Sequence, residues 1–307
     1  MKISVVTSLY NSENYIDLFI DSINKICTEN LRIDYEIVFI DDGSTDNSFN
    51  KAKYFAENDK RIKLIGLSRN FGHHNALIAG LDYVSGDYIY VTDIDLDEKP
   101  EWLIDYYQSL IENEVEIVQG IDASKKRFSI SNVFKKIFYL VIKLFGINYP
   151  KNYLLSVLFS RKFLNEFKKY KEYSFNFLGV LQQVGFERHL LKFEKENSAL
   201  TSYTFNKKTI HMIRSLFSFD NKLLISIFNF GILNLLFSIV FVFYLIIRYI
   251  GPNPPLGGWV STIASIWIFG SVLIIFIGMI GMYLSIIFDE VKKRPLAIVK
   301  EFVNIEE

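Results

Sequence analysis

Over the first 120 residues the hydrophobic positions switch repeatedly between two periods. Residues 3–7 form a short strand pattern, and Tyr15, Ile16, Phe19, Ile20 and Ile23 then fall on one face of a helix. Residues 36–40 are apolar after Glu36, as in a strand buried on both faces. Phe49, Ala52 and the Phe55-Ala56 pair place the next helix, which Ser44 or Thr45 is positioned to cap. Strands at 62–67, 88–92 and 116–119 and helices at 75–83 and 102–111 complete the series. This alternation predicts an α/β fold with a mostly parallel sheet. Ligands of such sheets lie beyond the carboxyl ends of the strands. Asp41-Asp42, Ser68-Arg69 and the Asp93–Asp95 stretch should therefore face one crevice.

After Gly120 the pattern changes. Val133, Phe134, Ile137, Phe138, Leu140, Val141, Leu144 and Phe145, with Lys135, Lys136 and Lys143 among them, describe a basic amphipathic helix. It suits either a membrane interface or an ordinary place on the sheet. Residues 206–220 look similar. Two runs then carry no charged side chain, 223–247 and 260–288, of 25 and 29 residues. Each exceeds the roughly 20 residues that cross a bilayer as a helix. The connection between them is rich in Gly and Pro, so the pattern predicts a transmembrane hairpin, with spans at 223–249 and 260–288. Two buried core helices are the competing reading, and soluble helices rarely stay uncharged for so long. The divisions expected are 1–120, 121–222, the two spans, and a tail at 289–307.

Charge refines this organisation. Net charge is zero, yet residues 1–120 hold ten Lys and Arg against twenty-two Asp and Glu, and residues 121–222 hold nineteen against seven. A basic block beside a membrane hairpin favours lipid headgroups and phosphates over nucleic acid. Lys222 precedes the first span and Lys292-Lys293-Arg294 follow the second, while the turn carries only Arg248. The positive-inside rule then places the large N-terminal region and the tail in the cytoplasm, in a multi-pass protein of the inner membrane. A lone cysteine, Cys27, suits a reducing compartment. Met1-Lys2 leads straight into a short apolar run, so no secretory signal is expected ahead of it.

The chemistry starts at Asp93, Asp95 and Asp97, which alternate after an apolar run. Alternate side chains on a strand share a face, so the three can converge if the strand runs on, and converging carboxylates call for a cation. Mg²⁺ or Mn²⁺ held by one or two carboxylates plus substrate phosphates would fit. Solvated turn carboxylates are the plainer alternative. Asp41 and Asp42 can accept hydrogen bonds from ribose hydroxyls or a base N–H. Arg69 can bind a diphosphate or a neighbouring Asp. His73 and His74 have no ligand partners at metal spacing and read as polar residues of a helix start.

In this order the motifs are recognisable. Residues 4–13, Asp41-Asp-Gly-Ser-Thr-Asp46, Ser68-Arg-Asn-Phe-Gly72 and Asp93-Ile-Asp-Leu-Asp-Glu-Lys-Pro-Glu101 resemble a family 2 glycosyltransferase of GT-A fold. The similarity is closer to the polyprenyl-phosphate branch, which includes dolichol-phosphate mannose synthases and bactoprenol glucosyltransferases. Ser68–Gly72, the two-span C-terminal half and Thr201-Ser-Tyr-Thr204 carry that similarity.

The resemblance implies a nucleotide-sugar-binding half at 1–120 and an acceptor half at 121–222. Thr7, Leu9 and Tyr10 would line the base pocket, with Asp41, Asp42 and Ser68 on the nucleotide. Asp93 would face ribose or sugar, Asp95 and Asp97 the metal, and Arg69 the diphosphate, so that Asp93, Asp95 and Arg69 form the catalytic set. Position 97 is usually Gln in the family. The family's Phe-Arg-Leu run is replaced near Ser156-Val157-Leu158, and its upstream Arg and Gly by Glu196 and Ala199. Lys125, Lys126, Arg127, Arg161, Lys195, Ser202 and Tyr203 then become the candidates for an acceptor phosphate.

The implied reaction is inverting, metal-dependent transfer of a hexose from a nucleoside diphosphate sugar, by default UDP-glucose, to polyprenyl phosphate on the cytoplasmic face. It serves cell-surface glycan modification. A separate translocase for the product is implied, and a homo-oligomer is compatible with it. Two other readings are open at this point: transfer to a saccharide hydroxyl, and a catalytically impaired nucleotide-binding membrane scaffold.

Overall fold

A computed structural model describes residues 1–123, 153–170, 177–194, 258–292 and 295–305 of the chain. The basic amphipathic stretch near 133–145 and the first expected span lie outside these residues, as do Lys125, Lys126, Arg127, Lys195, Ser202 and Tyr203.

The core is an eight-stranded sheet. Its strands are β1 (Lys2–Leu9), β2 (Asp34–Asp41), β3 (Ile62–Leu67), β4 (Tyr88–Val91), β5 (Ile117–Asp122), β6 (Tyr153–Ser160), β7 (Arg188–Phe193) and β8 (Val299–Val303). Their order is β7-β5-β6-β4-β1-β2-β3-β8. β1 pairs in parallel with β2 and β4, and β2 with β3, while β6 and β8 run antiparallel to their neighbours. The fold is thus α/β with a mostly parallel sheet, as expected.

Helices cover both faces because consecutive strand residues alternate between them. Val5, Ile37 and Phe39 meet α1 (Ile16–Lys25), α2 (Ser48–Asn58) and α4 (Trp102–Glu112) through Phe19, Ala52 and Trp102. Val6, Val38 and Ile40 meet α3 (His73–Leu81), α5 (Arg161–Phe167) and α6 (Phe177–Gln183) through Leu77, Phe163 and Val180. β1 and β2 are buried on both sides from Ile3 to Leu9 and from Tyr35 to Asp41, which explains their continuous apolar runs.

Residue 120 marks no break in this sheet. β6, from beyond it, inserts between β4 and β5. The tail also returns: β8 pairs antiparallel with β3, Phe302 packs on Tyr83 at 5.0 Å between ring centroids, and the Asn304 carboxamide donates to the Ile62 carbonyl at 2.8 Å. Among the described residues, the sheet, the helices on its two faces and the tail form one compact unit.

A helix of 34 residues, α7 (Trp259–Lys292), belongs to a second unit and coincides with the second expected span. Among the described residues alone, no helix counts as long and apolar enough to cross a membrane. α7 carries no charged side chain from Val260 to Phe288. At 1.5 Å per residue it would extend roughly 50 Å.

Candidate active site

The loops that leave β1, β2, β3 and β4 all lie at the carboxyl edge of the parallel strands. Two of them are locked together. The Asp42 carboxylate is buried and accepts the backbone N–H groups of Phe71, at 2.7 Å, and Gly72, at 2.9 Å. Between them Gly43 adopts φ +68°, and a Cβ there would stand 2.6 Å from the Arg69 carbonyl carbon. Burial pushes the Asp42 carboxyl up from its ordinary range, the two N–H bonds oppose that, and the adjacent Asp41 charge adds to it. Asp42 is thus first a clamp on the Ser68–Gly72 loop.

Asp41 is buried too, which raises its pKa against the opposing bonds from Ser44 and Gly43. Its Oδ2 accepts the Ser44 N–H at 3.2 Å, whereas Oδ1 is buried with no hydrogen-bond partner among the described residues. Thr7 Oγ1 is in the same condition. Buried polar atoms of this kind call for a donor from elsewhere, such as a ligand N–H or O–H. Thr7 and Leu9 are fully enclosed, so they back the crevice without lining its surface, while Tyr10 is half exposed.

The β1 and β2 loops are zipped by side chains. Asn11, itself at φ +53°, accepts from Thr45 N–H at 2.9 Å, and its own N–H donates to Ser44 Oγ at 3.1 Å. Ser44 and Thr45 therefore serve this loop pair and do not cap α2. The N-cap position is Asn47, whose side chain makes no capping bond, and Asp46 just ahead of it accepts the Ser48 N–H at 3.0 Å.

The expected convergence of Asp93, Asp95 and Asp97 on one strand face does not occur. β4 stops at Val91, and Leu96 turns into the left-handed region at φ +61°. Within the turn the Asp97 N–H donates to Asp95 Oδ1 at 3.1 Å. Among the described residues no group of three or more His, Cys, Asp or Glu side chains is gathered as a metal site. Asp95 is exposed and Asp97 half-buried. Such a pair suits a cation that takes one or two carboxylates and completes its shell with substrate phosphates. The far end of the turn is fixed by Glu98, which is buried and accepts the Ser156 N–H at 2.7 Å and the Leu155 N–H at 3.2 Å on β6.

His73 ties the crest together from the start of α3. Its Nδ1 is 2.5 Å from Ser8 Oγ at the end of β1, and its Nε2 is 3.3 Å from Asp93 Oδ1.

Comparison with known proteins fits this arrangement. The Glycosyl transferase family 2 profile matches residues 4–174, more than half of the chain. This chain belongs to glycosyl transferase family 2. A Mycobacterium tuberculosis protein named as a glycosyltransferase is 33% identical over 98% of this chain and 88% of its own length. The SfII prophage-derived bactoprenol glucosyl transferase of Shigella flexneri is 28% identical over 98% of each chain. Among solved structures, the M. tuberculosis glucosyl-3-phosphoglycerate synthase in complex with uridine diphosphate is similar, with a TM-score of 0.50 and 19% identity. That match covers 71% of this chain and 79% of the other, and it bears on the fold alone. The protein is a glycosyltransferase with a GT-A-like sheet.

In this glycosyltransferase Arg69 is exposed and stacked over the Phe71 ring, 4.6 Å from its centroid. No carboxylate of the described residues forms an ion pair with it. It is thereby a fixed cation available to an anionic ligand. The loop borders a cavity of about 320 Å³, lined by Arg69, Asn70 and Phe71 on one side and Pro295, Leu296 and Ile298 of the tail on the other. The Ser68 N–H donates to the Ile298 carbonyl at 2.9 Å. The expected cytoplasmic tail is therefore a wall beside the site.

Arg161 is not positioned for an acceptor phosphate at the crest. Its guanidinium donates to the carbonyls of Val84, at 3.1 Å, and Gly86, at 2.9 Å. Both precede β4, at the opposite end of that strand from Asp93. The glycosyltransferase also uses two residues that sequence spacing did not single out, His73 and Glu98. Neither carries a local signal, because their partners lie 65 and 58 residues away.

Proposed function

We propose that this glycosyltransferase moves a hexose, with inversion, from a nucleoside diphosphate sugar to polyprenyl phosphate at the cytoplasmic membrane face. The observation that carries the reading is the similarity to the Shigella bactoprenol glucosyl transferase, which runs through the apolar C-terminal half and covers 98% of both chains. Uridine diphosphate glucose is the donor this relative suggests. The uridine diphosphate complex of the structural neighbour is in keeping with it.

The residues of the crest divide the work. Asp41 Oδ1, buried and without a hydrogen-bond partner among the described residues, is suited to meet a donor on the nucleotide, with Thr7 enclosed behind it. Asp42 holds the Ser68–Gly72 loop, so that Arg69 presents a fixed positive charge to the diphosphate. Asp95 and Asp97 would hold Mg²⁺ or Mn²⁺, which, when bound, neutralises charge on the departing nucleoside diphosphate. A lipid phosphate is already anionic at neutral pH, so its attack on the anomeric carbon needs no strong general base. The C–O bond to the diphosphate breaks as the phosphate oxygen bonds, and the electron pair leaves with the nucleoside diphosphate.

The hairpin of 223–249 and 260–288 is proposed as the membrane anchor. In α7 the exposed side chains include Ile266, Leu273, Ile277, Ile280 and Leu284, an apolar stripe suited to lipid or a partner helix. The full-length protein in detergent, given labelled UDP-glucose and undecaprenyl phosphate, should yield a label that partitions with lipid. Label appearing only on a saccharide hydroxyl, or no transfer with any nucleotide sugar, would overturn the reading.

A further inference from the structure

Asp93 sits one residue beyond the last ladder bond of its strand, the Thr92 N–H to the Val6 carbonyl at 3.2 Å. From there the backbone turns away, so the direction of its carboxylate depends on side-chain contacts. His73 supplies one, at 3.3 Å from Nε2 to Oδ1. The imidazole is itself held from behind by Ser8 Oγ, 2.5 Å from Nδ1. Ser8 is only 8% exposed and sits near the end of a strand buried along its length. Three elements thus meet in one chain of contacts: the end of β1, the start of α3 and the turn after β4.

We propose that His73 is the positioning residue of Asp93, holding its carboxylate in the orientation that accepts a hydroxyl of the sugar-nucleotide donor. This rests on the reading of the protein as a nucleotide-sugar transferase, and it adds a residue for which only a helix-start role was expected. The tautomer follows from the partners. An ionised carboxylate only accepts, so Nε2 carries the hydrogen toward Asp93, and Nδ1 accepts the Ser8 hydroxyl hydrogen. Burial and the neighbouring His74 shift the partly exposed His73 down to about 4, which favours the neutral ring, and of its two tautomers this is the one the contacts select. A neutral ring also leaves the charge of Asp93 intact, which a protonated ring would partly cancel. A rigid helix start supports it: α3 packs on the sheet through the buried Ala76, Leu77 and Leu81.

The test uses donor binding, measured calorimetrically with UDP-glucose on the full-length protein in detergent, and needs no acceptor. His73→Leu should weaken binding about 10-fold or more, because it removes the polar ring nitrogen that faces the Asp93 carboxylate. His73→Gln, whose amide can reach the Nε2 position, should restore it to within about 3-fold. In the Asp93→Ala background, His73→Leu should have no further effect, because the two act as one unit. Ser8→Ala, which releases the tautomer without touching Asp93, should weaken binding about 3-fold and likewise lose its effect in that background. If His73→Leu binds as the wild type does, or its effect adds fully to that of Asp93→Ala, the inference fails. If His73→Leu does not fold, the Ser8→Ala pair decides alone: additivity overturns the proposal and non-additivity supports it. A wild type that binds UDP-glucose yet transfers nothing to polyprenyl phosphate would count against the acceptor reading and leave this one standing.

Discussion

Asp42 grips Gly72: its carboxylate accepts the Gly72 N–H at 2.9 Å and the adjoining Phe71 N–H at 2.7 Å, from a buried position. The second Asp of the Asp-Asp-Gly-Ser motif is thereby structural before it is anything else. Asp42→Ala would strand two backbone donors and should lower stability by about 3 kcal/mol, with donor affinity falling alongside. Urea unfolding in detergent, followed by tryptophan fluorescence, measures the first effect. A variant that loses donor binding at unchanged stability would show that Asp42 contacts the nucleotide and does not clamp the loop.

Gly43 makes the same junction from the backbone. At φ +68°, with the Arg69 carbonyl carbon 2.6 Å from any added Cβ, Gly43→Ala meets strain and a clash with main chain. The expected cost is about 2 kcal/mol or more. Because the clash displaces Arg69, donor KM should rise more than the melting temperature falls would suggest. A fully active, unshifted Gly43→Ala would contradict the close approach.

The alternating pattern made the first four strands and their crest loops readable, since a buried parallel strand announces itself by local sequence alone. Tertiary partners were another matter. β6 carries an equally apolar run, Leu154 to Phe159, but nothing local says that it inserts between β4 and β5. β8 is five residues with two charges, and only its pairing with β3 makes it a strand. Asp93, Asp95 and Asp97 share a face only if the alternation persists past Val91, where β4 ends. A left-handed Leu96 ends it, a conformation that a leucine does not advertise. Spacing to other metal-ligating types says nothing of His73, whose partners are a serine and an aspartate brought in by the sheet.

The other end of the sheet carries a pH-sensitive anchor. Glu36 is 1% exposed and takes hydrogen bonds from Lys2 Nζ at 2.7 Å, Ser4 Oγ at 2.6 Å and Ser85 Oγ at 2.6 Å. Burial raises its pKa, but the bonds from Lys2, Ser4 and Ser85 outweigh that and hold it at about 2. A carboxyl depressed on folding favours the folded state wherever it is ionised in both states. Its contribution, on the order of 3 kcal/mol, should be complete above about pH 4.5 and fade as pH falls toward about 2. Glu36→Gln should be less stable than wild type at about pH 7 and close to it at about pH 2. Parallel stability curves for the two proteins would refute this.

The tail predicts a coupling between stability and the site. Removing residues 298–307 uncovers the β3 edge, where Leu64 and Ile65 are fully buried, and takes away the Ile298 carbonyl that meets the Ser68 N–H. Phe302→Ala, a milder change, removes the packing on Tyr83 and should cost about 2 kcal/mol. Both should raise donor KM in step with lost stability. Tail removal without effect on either quantity would mean that β8 is not part of the working sheet.

Asp93 and Asp95 should separate under metal titration. Asp93 is engaged by the His73 ring, whereas Asp95 is exposed on the turn beside Asp97. A hydroxyl-accepting carboxylate and a cation-holding one respond differently to loss of charge. Chelation should abolish transfer, and Mn²⁺ or Mg²⁺ should restore it. Asp95→Asn should then raise the half-saturating metal concentration about 10-fold or more, since a neutral carboxamide is a poorer ligand for a hard cation. Asp93→Asn should leave that concentration within about 3-fold of wild type while raising donor KM, because it weakens one hydrogen bond to the donor. Asp97→Gln, the family's usual residue, should fall between them, as it removes a charge near the cation but leaves Asp95 in place. Equal metal responses in the Asp93 and Asp95 variants would show that the two carboxylates share the cation after all, and that the turn rearranges around it.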